Sequence, residues 1–161
     1  MLENDNRFSS DEQISLNVSA VSITDDNFTE DICAMLRKQR HLAPRICVEI
    51  REVDILRSGE VISKFLGEIN RFGVKVIIDD FGTSFAGFKY LEKLSVDFVK
   101  LDPVLIEGLD RSQFSLEILN AIIELTRRTE VTMIAKGVSN DRLAERLNEL
   151  GIERMQGFAI G

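Results

Sequence analysis

The sequence predicts a parallel α/β fold, and three observations lead to that prediction. Six short apolar or alternating segments, each typical of a strand, are separated by segments with helical periodicity. Strict alternation of strands and helices is typical of a parallel sheet with crossover helices. Residues 74–78 form an apolar, β-branched run, as expected of a strand buried on both faces. Each predicted strand also carries a polar residue at or near its carboxyl end.

Composition sets the broad class of protein. The chain has 161 residues, of which 44% are hydrophobic and 29% charged, with a formal net charge of −7. We expect a polar leader at residues 1–13 and one domain, with its own core, at residues 14–161. The acidic balance argues against a protein that coats nucleic acid or anionic membrane. Because no apolar run has the length of a membrane span and the leader is polar, we expect a cytoplasmic protein.

Each predicted strand rests on a local pattern. Residues 14–19 alternate apolar and polar side chains, a pattern that is typical of a strand. Pro103 follows the fourth strand and should end it, since proline cannot donate to a ladder. The six predicted strands are residues 14–19, 46–52, 74–78, 97–102, 131–137 and 154–160.

The predicted helices lie between these strands. The first follows an Asp-Asp-Asn cap and has apolar residues at helical spacing. The second opens at Ser58 and ends at Phe72-Gly73, and the last begins at Asn140 and is capped by Gly151. The five predicted helices are residues 28–39, 58–72, 86–94, 112–129 and 140–150.

Two adjacent carboxylates, Asp79 and Asp80, follow the third predicted strand. In parallel α/β folds the carboxyl ends of the strands are where ligands bind and catalytic side chains project. Carboxylate oxygens are also the ligands that Mg²⁺ and Mn²⁺ prefer. A simpler interpretation is that the pair ends a strand and caps the next helix, since aspartate favours turns and caps.

The other strand ends favour a shared site. Polar side chains recur at equivalent places, namely at Asn17, Glu49, Asp79, Lys100, Lys136 and Gln156. Such groups are costly to bury singly, so their recurrence indicates one polar cavity better than six unrelated caps. A complete eight-stranded β/α barrel needs about 250 residues. The residues alone therefore leave two folds open, a doubly wound sheet and a barrel that lacks two units.

Six motifs, in order along the chain, resemble those of the EAL family of cyclic-di-GMP phosphodiesterases. They lie at residues 15–19, 49–52, 79–84, 99–102, 135–139 and 156–158, and the Asp-Asp-Phe-Gly-Thr-Ser motif is the most distinctive. The resemblance implies a modified TIM-type (β/α) barrel, here incomplete with six of eight strands. It places the site at the carboxyl ends of the strands.

The resemblance also implies roles for individual residues. Active members hold two Mg²⁺ or Mn²⁺ ions and hydrolyse one phosphodiester bond of cyclic-di-GMP. Lys100 would position or polarise the attacking water, and Glu52 would brace the loop after Asp80. The residues implied in metal binding are Asn17, Glu49, Asp79 and Asp80. Those implied in the cyclic-di-GMP pocket are Asn17, Asp79, Asp102 and Gln156.

The chain departs from the family pattern at Lys136, which stands where the family has a metal-site glutamate. A charged ammonium has no lone pair and cannot ligate a cation. At about 4 Å and an effective dielectric constant near 20, it would repel a divalent ion by about 8 kcal/mol. We therefore expect no tightly bound metal, and we expect Lys136 to pair with Asp79, Asp80 or Glu49.

Other departures concern the surroundings of the site. Ser84 and Ser139 replace a family glycine and glutamate, and the Glu-Ala-Leu triplet of the family is absent from the sequence. The expected function is thus a catalytically inactive, regulatory module that binds nucleotide or protein. The alternative is an active metal-dependent phosphodiesterase. Unpaired sheet edges would favour a homo-oligomer or a protein partner, and we expect neither a nucleic acid polymer nor a membrane as partner.

Overall fold

The computed structural model describes residues 13–84, 88–109 and 112–158. Within these ranges, six parallel strands form one curled sheet in which each strand pairs with its neighbour in sequence. The strands are Ile14–Asn17 (β1), Ile46–Arg51 (β2), Lys75–Phe81 (β3), Phe98–Leu101 (β4), Thr132–Lys136 (β5) and Arg154–Gln156 (β6). A doubly wound sheet reverses its strand order at a switch point, whereas this order never reverses. The fold is therefore that of an incomplete β/α barrel.

Helices connect the strands and cover the apolar face of the sheet. They are Ala20–Ile23 (α1), Asp26–Lys38 (α2), Glu52–Asn70 (α3), Phe88–Lys93 (α4), Pro103–Glu107 (α5), Gln113–Thr129 (α6) and Asp141–Glu149 (α7). No helix within the described ranges is long and apolar enough to cross a membrane.

The core lies between the outer face of the sheet and these helices. Alternate residues of the central strands, such as Ile50, Ile78 and Leu101, are almost completely buried on that face. They belong to the same core cluster as Ile62 of α3 and Ile122 of α6. Burying each such side chain contributes about 1.5–3 kcal/mol. Because this face is apolar, the polar residues of the same strands point to the inner side of the curl.

The second strand and the helix that follows it differ from their predictions. Strand β2 ends at Arg51 and α3 begins at the next residue, Glu52, rather than at Ser58. Acidic residues in the first turn suit the positive end of the helix dipole. Ser58 has non-helical torsion angles (φ −134°, ψ 34°), so the predicted start of the helix is a kink inside it.

Two short helices were not predicted. Ser19 caps α1 through a hydrogen bond from the Ser22 amide, so β1 ends two residues earlier than expected. Pro103 ends β4 as expected, but it also starts α5 because proline is tolerated in the first turn of a helix.

Parts of three predicted segments lie outside the described residues. They are residues 1–12 of the leader, the start of the helix predicted at residues 86–94, and residues 159–160 of the sixth strand.

Candidate functional site at the carboxyl ends of the strands

The strand register brings polar side chains together on the inner face of the sheet. Asn17 of β1 lies beside Glu49 of β2, and Lys136 of β5 lies beside Gln156 of β6. Side-chain contacts then link Glu49 to β4 and Lys136 to β3. Four of the six polar strand-end residues are thus in contact in two pairs, Glu49 with Lys100 and Asp79 with Lys136, whereas one cavity shared by all six stays a prediction.

Asp79 and Asp80 lie within β3, which extends to Phe81 rather than ending at residue 78. The register between β3 and β4 shifts between Ile78 and Phe81, as in a β-bulge. Asp80 has a positive φ of 51°, a left-handed conformation that aspartate tolerates better than most residues. Successive side chains of a regular strand point to opposite faces, but a bulge re-aims them. Both carboxylates therefore reach the same point on the inner face.

That point is occupied by the ammonium group of Lys136. Its Nζ lies 2.6 Å from Oδ1 of Asp79 and 2.6 Å from Oδ1 of Asp80. The expected pairing of Lys136 with Asp79 and Asp80 is confirmed, whereas the alternative partner Glu49 is bonded elsewhere. Burial lowers the pKa of Lys136, but the hydrogen bonds and charges of the two aspartates outweigh it, so the net pKa is raised. The lysine is therefore charged at neutral pH.

Lys100 forms a second ion pair in the same region. Its Nζ lies 2.7 Å from both carboxylate oxygens of Glu49, and the two side chains are 15% and 4% exposed. Hydrogen bonds from an ammonium to a carboxylate at this distance are strong. Lys100 is thus bonded to a carboxylate. The role that the resemblance implies for it, to position or polarise the attacking water, stays a prediction.

Glu52 is buried at the start of α3 and contacts the loop after β3. Its Oε2 accepts hydrogen bonds from the Thr83 amide (3.1 Å) and the Thr83 hydroxyl (2.7 Å). Burial raises the pKa of Glu52, although the hydrogen bonds from the loop oppose that shift. Glu52 was expected to brace the loop after Asp80, and its contact with Thr83 lies in that loop. Thr83 was missed as a partner, although its hydroxyl stands in the distinctive motif.

Three further predicted residues lie around these ion pairs. Asn17 and Gln156 are exposed at the carboxyl ends of β1 and β6. The carboxylate of Asp102 accepts a hydrogen bond from the Val104 amide (2.7 Å) and so caps α5. An open cavity of about 650 Å³ is lined in part by Lys100 and Gln156. The proposed roles of these residues in nucleotide binding stay predictions.

The donor set does not fit a divalent metal ion. Across the described residues, no group of three or more histidine, cysteine, aspartate or glutamate side chains is arranged to hold one. Glu49 is bonded to Lys100, and Asp79 and Asp80 are bonded to Lys136. Two ammonium groups thus balance most of the charge of three carboxylates. The three carboxylates that the resemblance implies as metal ligands are therefore engaged in ion pairs.

Known proteins share both the sequence pattern and the fold. The cyclic di-GMP phosphodiesterase PdeA of Borreliella burgdorferi is 31% identical over 144 residues, which are 89% of this chain and 22% of that protein. The structure of the EAL domain of Mycobacterium smegmatis DcpA is 31% identical, with a TM-score of 0.78 over 91% of this chain and 66% of that one. The structure of the Pseudomonas aeruginosa MucR phosphodiesterase in complex with c-di-GMP is 26% identical. Its TM-score is 0.86, and the match covers 97% of this chain and 63% of that one.

The matches cover nearly all of this chain but only part of each related protein. The chain spans less than a third of the length of the curated phosphodiesterases it resembles, for example 22% of PdeA. Nearly all of this chain is covered, and the family model described as EAL domain matches residues 1–161. The motifs, the incomplete barrel and this match together show that the chain belongs to the EAL domain family.

Proposed function

We propose that this chain is a regulatory EAL domain of cyclic-di-GMP signalling that acts by binding and does not hydrolyse the nucleotide. The family and its named phosphodiesterase relatives support the signalling context. The observation that carries the proposal is the position of Lys136, whose Nζ lies 2.6 Å from both Asp79 and Asp80. Hydrolysis in the family depends on Mg²⁺ or Mn²⁺, and here an ammonium group holds the carboxylates that would bind the ion.

The charge balance bears on what the domain binds. Glu49, Asp79 and Asp80 carry three negative charges, and Lys100 and Lys136 carry two positive charges that are already paired. These lysines offer little unpaired positive charge to a phosphodiester. Binding of cyclic-di-GMP would then rest on exposed polar groups such as Asn17 and Gln156, and binding of a protein partner would not need the phosphate site at all.

Two measurements test the proposal. The chain is incubated with cyclic-di-GMP and Mn²⁺ or Mg²⁺, and the linear dinucleotide is sought by chromatography. We expect no turnover above a protein-free control. Calorimetry with cyclic-di-GMP, in Mn²⁺ and in EDTA, then separates a nucleotide-binding module from a protein-binding one. Metal-dependent turnover that is lost in Asp79→Asn would disprove the proposal.

The second candidate is an active cyclic-di-GMP phosphodiesterase. The observation in its favour is the 31% identity with PdeA, which is named as such an enzyme. Hydrolysis by this chain would require that a divalent ion displace Lys136 from Asp79 and Asp80. The turnover assay distinguishes the two candidates directly.

A further inference from the structure

The β3 bulge holds two neighbouring carboxylates closer together than a regular strand would. Asp79 and Asp80 each place Oδ1 within 2.6 Å of a single nitrogen atom. Two like charges in such proximity repel each other unless a cation lies between them. Asp80 also adopts the left-handed conformation, which costs free energy in a residue other than glycine. A cation held between the two carboxylates would therefore stabilise the geometry of this strand end.

We propose that Lys136 is a tethered counter-cation that stabilises the β3 bulge and excludes divalent metal ions from it. This inference deepens the proposed function, because it names the feature that makes the site independent of metal. The lysine belongs to β5, two strands away from the bulge, and its side chain is only 20% exposed. Its ammonium group is thus held at the site by the sheet itself.

Exclusion of a metal follows from distance and charge. Mg²⁺ binds oxygen ligands at about 2.0–2.1 Å, so an ion bridging Asp79 and Asp80 would overlap the position of the Lys136 nitrogen. Displacing the lysine would leave an ammonium group in a mostly buried place without its hydrogen-bond acceptors. The other nearby carboxylate, Glu49, is bonded to Lys100 through both of its oxygens and is not available as a further ligand.

The test measures Mn²⁺ binding in the absence of nucleotide, with the full chain. Wild type, Lys136→Glu and Lys136→Met are compared by titration calorimetry and by thermal unfolding in Mn²⁺ and in EDTA. We expect no measurable Mn²⁺ binding by the wild type. Lys136→Glu should bind one Mn²⁺ ion at least tenfold more tightly than the weakest binding that the titration can detect. Lys136→Met should unfold at a lower temperature than the wild type in EDTA and recover part of that loss in Mn²⁺.

Lys75→Glu is the matched control. Lys75 also forms a 2.6 Å ion pair on this sheet, with Asp97, and it does not contact Asp79 or Asp80. The control makes the same change in net charge and should gain no Mn²⁺ site. A second control, Lys136→Glu combined with Asp79→Asn, should lose the Mn²⁺ site that Lys136→Glu gains.

The outcomes separate this inference from the proposed function. Mn²⁺ binding by the wild type that is lost in Asp79→Asn overturns the inference, even if the chain hydrolyses nothing. A folded Lys136→Glu variant without a Mn²⁺ site also overturns it. If Lys136→Glu does not fold, a folded Lys136→Met variant that shows no response to Mn²⁺ overturns it instead. Turnover of cyclic-di-GMP by a wild type that binds no Mn²⁺ would disprove the proposed function and leave the inference standing.

Discussion

The Nζ atom of Lys100 lies 2.7 Å from each carboxylate oxygen of Glu49, which joins β4 to β2 across the inner face of β3. Both side chains are mostly shielded from water, with exposures of 15% and 4%. For a buried pair, the attraction between the charges roughly offsets the cost of removing both from water. The greater effect on stability comes from removing one partner, because the other charge is then buried alone.

We predict that Lys100→Met and Glu49→Gln each lower the free energy of unfolding by about 3 kcal/mol. The double variant should lose less than the sum of the two, because it leaves no unpaired charge. Urea unfolding of the four proteins measures this double-mutant cycle. Lys75→Met is a control at a more exposed pair, where we expect a loss of at most about 1 kcal/mol. Strictly additive losses would contradict the prediction.

The sequence predicted those features of the site that depend on local patterns. The alternation of strands and helices placed Asp79, Lys100 and Lys136 at strand ends. The family resemblance, taken with the charge of the ammonium group, then predicted that Lys136 pairs with Asp79, Asp80 or Glu49. The pair formed by Lys100 and Glu49 was not predicted, because the resemblance assigns Lys100 to the attacking water and Glu49 to a metal ion.

The bulge in β3 could not be predicted from the sequence. It depends on the register between β3 and β4 and on the left-handed conformation of Asp80, and neither leaves a pattern in the residues. Similarly, Pro103 is compatible both with the end of a strand and with the start of a helix. Its presence after β4 therefore did not predict that α5 begins there.

Glu52 gives the folded state a dependence on pH. Burial raises its pKa above the usual value of 4.5, so the folded state holds the proton more tightly than the unfolded state. Its contribution to stability is thus fully present below the unfolded pKa and is lost as pH rises through the folded pKa. We predict that Glu52→Gln, which cannot ionise, gains stability relative to the wild type as pH increases from about 4.5. Urea unfolding across a pH series measures the difference.

A second variant separates the charge of Glu52 from its hydrogen bonds. Glu52→Ala removes the acceptor of the Thr83 amide and hydroxyl, and we expect it to be about 1–3 kcal/mol less stable than Glu52→Gln at every pH, because neither variant ionises at this position. Parallel pH profiles for the wild type and Glu52→Gln would show that Glu52 titrates as an ordinary carboxylate, contrary to the prediction.

Gly157 follows β6 and packs directly against the backbone of Val138. A Cβ atom at position 157 would overlap the carbonyl oxygen and the amide nitrogen of Val138. The Val138 amide also donates to the carbonyl of Gln156 (3.2 Å), so the two segments cannot separate without losing that bond. We predict that Gly157→Ala lowers the free energy of unfolding by about 1–3 kcal/mol. Gly67→Ala is the control, because a Cβ there would meet no described atom within 4 Å beyond its own helix backbone and chain neighbours. Equal stability of the two variants would refute this packing argument.

Glu130 ends α6 in a left-handed conformation, with φ 59° and ψ 19°. Its amide donates to the carbonyl of Thr126, so the residue closes the helix as glycine usually does. The position is exposed, and a negative charge at a helix carboxyl end is unfavourable. We predict that Glu130→Gly raises the free energy of unfolding by about 1 kcal/mol, as measured by thermal and urea unfolding. Glu130→Ala removes the charge but keeps the strain, so it should gain only about 0.3 kcal/mol. If alanine stabilises as much as glycine, the gain comes from charge and the conformational explanation fails.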